Sequence, residues 1–213
     1  MKIIDDFLNE PYKTRKLGLQ LATKENIDLK DDKNGAWPGV RISLAFKSKI
    51  LIDNVFSDSY INKVKSHIGK DVYLEQSSIQ WVSSIWGRGV VHCDYPNDYI
   101  CITYLNEDPP SNSGTEVYSD YEAPSLDLEK ILSSFDREKK SFYLSNKSHN
   151  KRNFFLKKVE KINSRFKDPV IASNKFNRTI IYNARLLHRG QDFFGDDLDN
   201  SRMTLVSFWN AKK

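Results

Sequence analysis

What this chain of 213 residues has little of narrows its class before any motif is considered. Two cysteines, Cys93 and Cys101, are too few for a disulfide framework or a thiolate zinc site. Any metal centre must therefore rest on carboxylates and on the four histidines, His67, His92, His149 and His188. No run approaches the ~18–20 uninterrupted apolar residues of a membrane span. The opening MKIIDDFLNE puts acids where a secretory signal needs bases and then a long apolar run, so the sequence predicts a cytoplasmic protein with no membrane partner. Internal repeats, Gly/Ser linkers and Pro-rich tracts are missing, which excludes solenoids and tethered domain pairs. Strong charge of one sign is missing too: 33 Lys+Arg against 28 Asp+Glu gives +5, too small an excess, taken globally, to argue for a nucleic-acid partner.

What is there suffices for a core. Apolar residues make up 39% and aromatic residues 12%, spread along the length, and one domain over residues 1–213 is the expectation at this size. Pro11, Tyr12, Leu17 and Leu21 predict a first helix, broken by the polar stretch from Lys24 to Gly35 and by the Trp37-Pro38-Gly39 turn. A second helix is predicted from about Asp58 to Ile68, with Ile61, Val64 and Ile68 on one side. Segments 50–56, 72–82, 99–105, 115–118, 178–183 and 202–209 are short and rich in β-branched and aromatic residues, which predicts a β sandwich or barrel. From about Tyr121 to Lys175 the pattern turns polar, Lys-rich and helical, with Phe155, Val159, Ile162 and Phe166 spaced by four, three and four. This stretch reads as a helical insertion packed through that stripe. It also concentrates the charge: residues 137–167 hold 11 Lys+Arg and 2 Asp+Glu, leaving 22 against 26 elsewhere.

The chemistry gathers in three short segments. In Val90-Val91-His92-Cys93-Asp94, His92 and Asp94 are two residues apart, so on extended chain both side chains face one way and Cys93 the other. Far downstream, Leu186-Leu187-His188-Arg189-Gly190 offers a second imidazole. Two imidazoles and a carboxylate on one face of an iron leave its other positions open, the arrangement of non-haem Fe(II) enzymes that bind a cosubstrate and dioxygen together. In Arg202-Met203-Thr204, Arg202 and Thr204 share a strand face, and a guanidinium beside a hydroxyl suits the remote carboxylate of a dicarboxylic acid.

That order, His-x-Asp, a distant His, then Arg on the next strand, resembles the Fe(II)/2-oxoglutarate-dependent oxygenase superfamily. Within it the chain is most similar to the prolyl-4-hydroxylase-like branch, through His92-Cys93-Asp94-Tyr95-Pro96-Asn97, Ile102-Thr103-Tyr104-Leu105-Asn106 and Ser113-Gly114-Thr115-Glu116-Val117-Tyr118. The opening Ile3-Ile4-Asp5-Asp6-Phe7-Leu8 and Trp37-Pro38-Gly39-Val40-Arg41 look like the N-terminal part of short oxygenases of this type. Each motif alone is weak, and their order makes the signal specific. The resemblance covers most of residues 1–120 and 176–213 and leaves the insertion, about 121–175, uncovered.

The resemblance implies a mainly β fold with flanking helices, a double-stranded β-helix of the jelly-roll, cupin-like kind. It implies Fe(II) held by His92, Asp94 and His188, and 2-oxoglutarate whose far carboxylate meets Arg202, assisted by Thr204 and the Tyr104 hydroxyl. O2 is then the oxidant, and ascorbate is admitted as a reductant. The activity implied is that of an oxidoreductase, a dioxygenase hydroxylating a C–H bond of a peptide or protein side chain, proline included, or of a small molecule, with release of succinate and CO2. Asp94 argues against a halogenase, where a small residue makes room for chloride. The alternatives are an oxygenase acting on nucleic acid through the basic insertion and an inactive β-helix that only binds. Against the first, Phe208 stands where base-dealkylating oxygenases commonly carry a second arginine. Residues 191–199 lengthen the connection from His188 to Arg202 and predict a loop at the mouth of the site. Arg88, Arg185 and Arg189 flank the ligands and are expected to meet structural carboxylates such as Asp192 or an anionic substrate. His67 and His149 are expected at the surface, and Trp81, Trp86, Phe208 and Trp209 in the core.

Overall fold

The computed structural model describes residues 1–29, 38–44, 55, 57–119 and 149–212, without the side chains at 149–152, 154 and 155. In chain order the elements are strand β1 (Lys2–Ile4), helix α1 (Pro11–Lys24), strand β2 (Val40–Ser43), helix α2 (Asp58–Ile68), strands β3 (Val72–Val82), β4 (Tyr99–Tyr104) and β5 (Thr115–Tyr118), helix α3 (His149–Asn163), and strands β6 (Val170–Ala172), β7 (Thr179–Asn183), β8 (Leu187–Gly190) and β9 (Arg202–Ala211). A large antiparallel sheet runs β1-β7-β4-β9-β3-β2, and a small one runs β6-β5-β8. The segment 88–92 extends the small sheet beyond β8 through bridges from Arg88 to Asp192 and from His92 to His188. From β3 onward the chain visits the large and small sheets in the order large, small, large, small, small, large, small, large. That winding is the double-stranded β-helix expected from the sequence.

Local chemistry explains the helices. Ser57 caps α2 by accepting from the Tyr60 N–H at 3.3 Å, Asp58 opens the first turn, and Gly69 at φ 76° closes the last. On α1, a Cβ at Gly18 would lie 2.4 Å from Met203 Cε and 3.1 Å from Ile79 Cδ1, so glycine lets the helix rest directly on β9 and β3. Both helices cover the outer face of the large sheet, where Val64, Ile79, Trp81, Leu205 and Trp209 form one core.

Strand parity then decides what lies between the sheets. On β9, Met203, Leu205 and Trp209 join the core under the helices, while Val206 and Phe208 join a second core between the sheets with Ile100, Ile102, Tyr104, Ile180 and Tyr182. Arg202 and Thr204 share the parity of Val206 and Phe208 and so face the same interior. Helix α3 covers the outside of the small sheet through buried Val159 and Ile162, and leaves Lys157 and Lys161 in solvent. Phe166, the end of the sequence stripe, packs its ring 5.7 Å from that of Tyr118.

The strands read from sequence at 72–82 and 115–118 coincide with β3 and β5, and the helix at 58–68 with α2. The strand read at 50–56 lies outside the described residues except for Val55, which is helical and buried. Residues 121–148 and the Phe155 side chain also lie outside them. Strand β6 falls within the stretch read as helical, so the helical pattern there ends before Val170. No helix among the described residues is long and apolar enough to cross a membrane.

Candidate metal centre

His92 closes the 88–92 segment and pairs with His188 on β8: the His92 N–H donates to the His188 carbonyl at 3.0 Å, and the His188 N–H to the His92 carbonyl at 2.8 Å. This bridge sets the two imidazoles side by side, tilted by 55° with ring centroids 4.3 Å apart. Asp94, two residues on, is anchored by its N–H on the Ala184 carbonyl at 2.9 Å. Each imidazole uses Nδ1 on a backbone carbonyl two residues upstream, His92 on Val90 at 2.8 Å and His188 on Leu186 at 3.0 Å. A carbonyl only accepts, so Nδ1 carries the hydrogen and Nε2 presents a lone pair. Both Nε2 atoms face Asp94, His92 at 3.9 Å from Oδ1 and His188 at 3.1 Å from Oδ2. One ligand atom from each of the three lies within 4.8 Å of the others. Two lone pairs and a carboxylate converging on one point repel unless a cation stands between them, and this donor set fits Fe(II) with open coordination positions.

Burial, reinforced by the neighbouring His188, holds the His92 imidazole far below its ordinary value, at about 3. Burial pushes Asp94 the other way, but its neighbours His188, His92 and Arg41 outweigh that and bring it to about 2. At neutral pH His92 is thus neutral and Asp94 ionised, the forms a metal requires.

One cavity connects the triad to Arg202, and Arg41, Gln80, Thr115 and Phe193 are among its walls. Arg202 is buried; its Nε donates to the Ser113 carbonyl at 3.1 Å, and the guanidinium lies over the rings of Tyr104 and Phe193 at 5.5 and 5.8 Å. Burial lowers its pKa, and the groups acting against that are tyrosines rather than carboxylates. A desolvated cation held this way is poised for an anion. The buried hydroxyls of Thr204 and Tyr182 have no hydrogen-bond partner among the described residues. The Tyr104 hydroxyl, by contrast, donates to Thr115 Oγ1 at 2.8 Å. A guanidinium and two unfilled hydroxyls fit the far carboxylate of a dicarboxylate such as 2-oxoglutarate.

Sequence reading did not find Tyr182. It stands against His188 with ring centroids 4.9 Å apart, and burial, then the charge of Asp94, raise its pKa well above the ordinary value. The available signal was parity, since Tyr182 and Ile180 are the inward pair on β7. Other sequence candidates lie elsewhere. His67 sits on α2 with its ring 6.0 Å from that of Phe7, and Cys93 packs beside Val91, Tyr118 and Leu187. Arg88 pairs with Asp192 at 2.8 Å, Arg189 with Glu116 at 2.6 Å, and Arg185 lies over Tyr95 at 5.3 Å. Trp81, Trp86 and Trp209 are core residues, and Phe208 is both core and cavity wall.

Residues 1–209 match a family described as "Family of unknown function (DUF6445)". The chain belongs to this family. No curated protein matches this DUF6445 protein. Among solved structures it is similar to EctD from S. alaskensis with 2-oxoglutarate and 5-hydroxyectoine, with TM-score 0.60 and 14% identity over 99% of this chain and 71% of that one. It is similar to the non-heme alpha ketoglutarate dependent carbocyclase SnoK from nogalamycin biosynthesis, with TM-score 0.60 and 13% identity over 97% and 78%. A prolyl 4-hydroxylase from Phytophthora capsici matches at TM-score 0.52 and 15% identity over 99% of this chain and 58% of that one. At such identities the likeness is one of fold, and the DUF6445 protein has the double-stranded β-helix of the 2-oxoglutarate-dependent oxygenases.

Proposed function

We propose that this protein is an Fe(II)- and 2-oxoglutarate-dependent oxygenase, with His92, Asp94 and His188 as metal ligands and Arg202, Thr204 and Tyr182 holding the cosubstrate, backed by Tyr104 through its bond to Thr115. The observation that carries this is the convergence of both Nε2 lone pairs and the Asp94 carboxylate, with ligand atoms within 4.8 Å of one another, in the same cavity as the buried Arg202. When bound, iron, cosubstrate and O2 supply the oxidation of a substrate C–H bond, with succinate and CO2 released. The chain itself contributes position. Val90 and Leu186 fix the imidazole tautomers, Arg202 gives the dicarboxylate one orientation, and Ile102, Val206 and Phe193 keep the cavity wall dry.

Hydroxylation of a peptide or protein side chain, or of a small molecule, is the reaction we assign. The solved relatives support both substrate classes: the EctD structure carries 5-hydroxyectoine, and a prolyl 4-hydroxylase shares the fold. SnoK, a carbocyclase, makes ring closure the outcome to test beside hydroxylation. A nucleic-acid substrate is less well supported, because apolar Phe208 lines the cavity at the position where base-dealkylating oxygenases commonly carry a second arginine. The complete donor set likewise argues against an inactive binding module. Work in the cytoplasm, with ascorbate as reductant, belongs to the same proposal.

The test is succinate release from 2-oxoglutarate by anaerobically iron-loaded protein exposed to air, first without and then with labelled peptide and small-molecule pools. His92→Ala, Asp94→Ala and His188→Ala are each expected to abolish it. Wild-type turnover in any of the three overturns the assignment.

A further inference from the structure

The metal ligand His92 lies on the outermost segment of the small sheet, and its ring orientation is set by one peptide unit. The His92 Nδ1–H donates at 2.8 Å to the carbonyl of Val90. That carbonyl and the N–H of Val91 are opposite ends of the same rigid, planar amide. For His188 the equivalent acceptor leads directly into β8, which is held on one side by β5 and on the other by the 88–92 segment. Among the described strands, the 90–91 peptide has β8 on one side only.

Its other side is met by Asn163, the last residue of α3, which is 6% exposed. Asn163 Oδ1 accepts from the Val91 N–H at 3.0 Å, and its Nδ2 donates to the Gly89 carbonyl at 2.9 Å. One carboxamide thus supplies the donor and the acceptor that a further strand would present. It fixes the peptide on each side of Val90. The chain of bonds runs Asn163 Oδ1, amide 90–91, His92 Nδ1–H, with the metal-facing Nε2 at its end, and each bond polarises the next.

We propose that Asn163 is a positioning residue for His92, acting through the 90–91 peptide, so that α3 is part of the metal centre's support. This rests on the metal assignment made above for His92. The alternative is that Asn163 only fastens α3 to the sheet, and the two differ in what they do to the metal. Ile162, its neighbour, is buried in the cluster that packs against the Val90 side chain and makes none of these hydrogen bonds, so Ile162→Ala loosens α3 while leaving the Asn163 bonds to the peptide in place.

The experiment compares the full chain with Asn163→Ala, Asn163→Asp and Ile162→Ala, all well below their unfolding temperatures, using Co(II) as the probe. Affinity and the visible Co(II) absorption are read, together with the imidazole ¹⁵N shifts of His92 in the metal-free protein. Asn163→Ala is expected to weaken Co(II) binding about tenfold or more, alter its absorption and mix the two His92 tautomers. Asn163→Asp keeps the acceptor for Val91 and is expected to restore most of the wild-type spectrum. Ile162→Ala is expected to lower the melting temperature and leave all three readouts unchanged. Wild-type affinity and tautomer in Asn163→Ala, or equal metal losses in Ile162→Ala, overturns the proposal. Wild-type protein that binds no Co(II) refutes the metal assignment instead, and the tautomer measurement then still decides the role of Asn163.

Discussion

At His92 and Asp94 one burial has opposite intrinsic effects, and both groups still end below their ordinary pKa. For His92 the ordinary value is 6.5 and the folded value about 3. Between these the unfolded chain binds more protons than the folded one, so stability rises with pH and falls as pH drops below 6.5. Asp94, lowered from 3.8 to about 2, adds a contribution that is complete above 3.8 and lost as pH falls toward 2. Both terms weaken the acid side, and neither acts above pH 6.5. The metal-free protein should therefore lose up to ~1.4 kcal/mol of unfolding free energy per pH unit between pH 6.5 and 4, where His92 acts without Asp94, read as a falling urea midpoint. In His92→Gln the decline between pH 6 and 4 should flatten, and an unchanged slope would remove His92 as its source. That His92, Asp94, His188 and Arg202 meet in one cavity was legible in the sequence, because imidazole and carboxylate at period-two spacing, and a guanidinium on a strand, announce themselves. Tyr182 and Asn163 were not, since a hydroxyl or an amide gains its meaning from the partner that folding brings.

The connection between elements at Gly114 tests how tightly the small sheet supports the cavity. A Cβ there would lie 2.0 Å from the Ala172 carbonyl oxygen and 2.9 Å from Ser173 Cα, both backbone atoms that cannot swing aside. Gly114 also exchanges bonds with Gln191, accepting from its N–H at 2.9 Å and donating to its Oε1 at 3.1 Å. Its neighbours Ser113 and Thr115 are the groups that hold the Arg202 guanidinium. Gly114→Ala should push β5 from β6, destabilise the protein by about 1–3 kcal/mol in urea unfolding, and weaken 2-oxoglutarate binding at the same time. A stability loss with unchanged binding would separate the sheet from the cosubstrate pocket. Elements were readable where their own pattern was long enough: α2 through its apolar side, and β3 and β9 through eight or more residues of strand composition. Strands β1, β2, β6 and β8 have three or four residues, too few to shift a periodicity, and β5, equally short, was legible only because Thr115, Val117 and Tyr118 make three of its four residues β-branched or aromatic. Their existence is decided by pairing, which is why β6 disappeared into a helical reading of its surroundings.

Across the whole molecule, the site draws on both sheets and on residues from His92 to Thr204, so anything bound there ties the two halves of the β-helix together. A ligand that binds only the folded state stabilises it by mass action, ~2.7 kcal/mol at a hundredfold excess over its dissociation constant. For a chain of this size that corresponds to roughly 5–10 °C in melting temperature. Mn(II), redox-quiet in air, should raise the melting temperature first, and 2-oxoglutarate added to the Mn(II) form should raise it again. The two increments should come apart by mutation. Arg202→Met, which keeps bulk and removes the cation, should retain the Mn(II) step and lose most of the 2-oxoglutarate step. His188→Ala should lose both, because the dicarboxylate then has neither the metal to chelate nor a fixed wall to meet. A full 2-oxoglutarate step in Arg202→Met would place the dicarboxylate away from Arg202, and a Mn(II) step surviving His188→Ala would place the metal outside the triad.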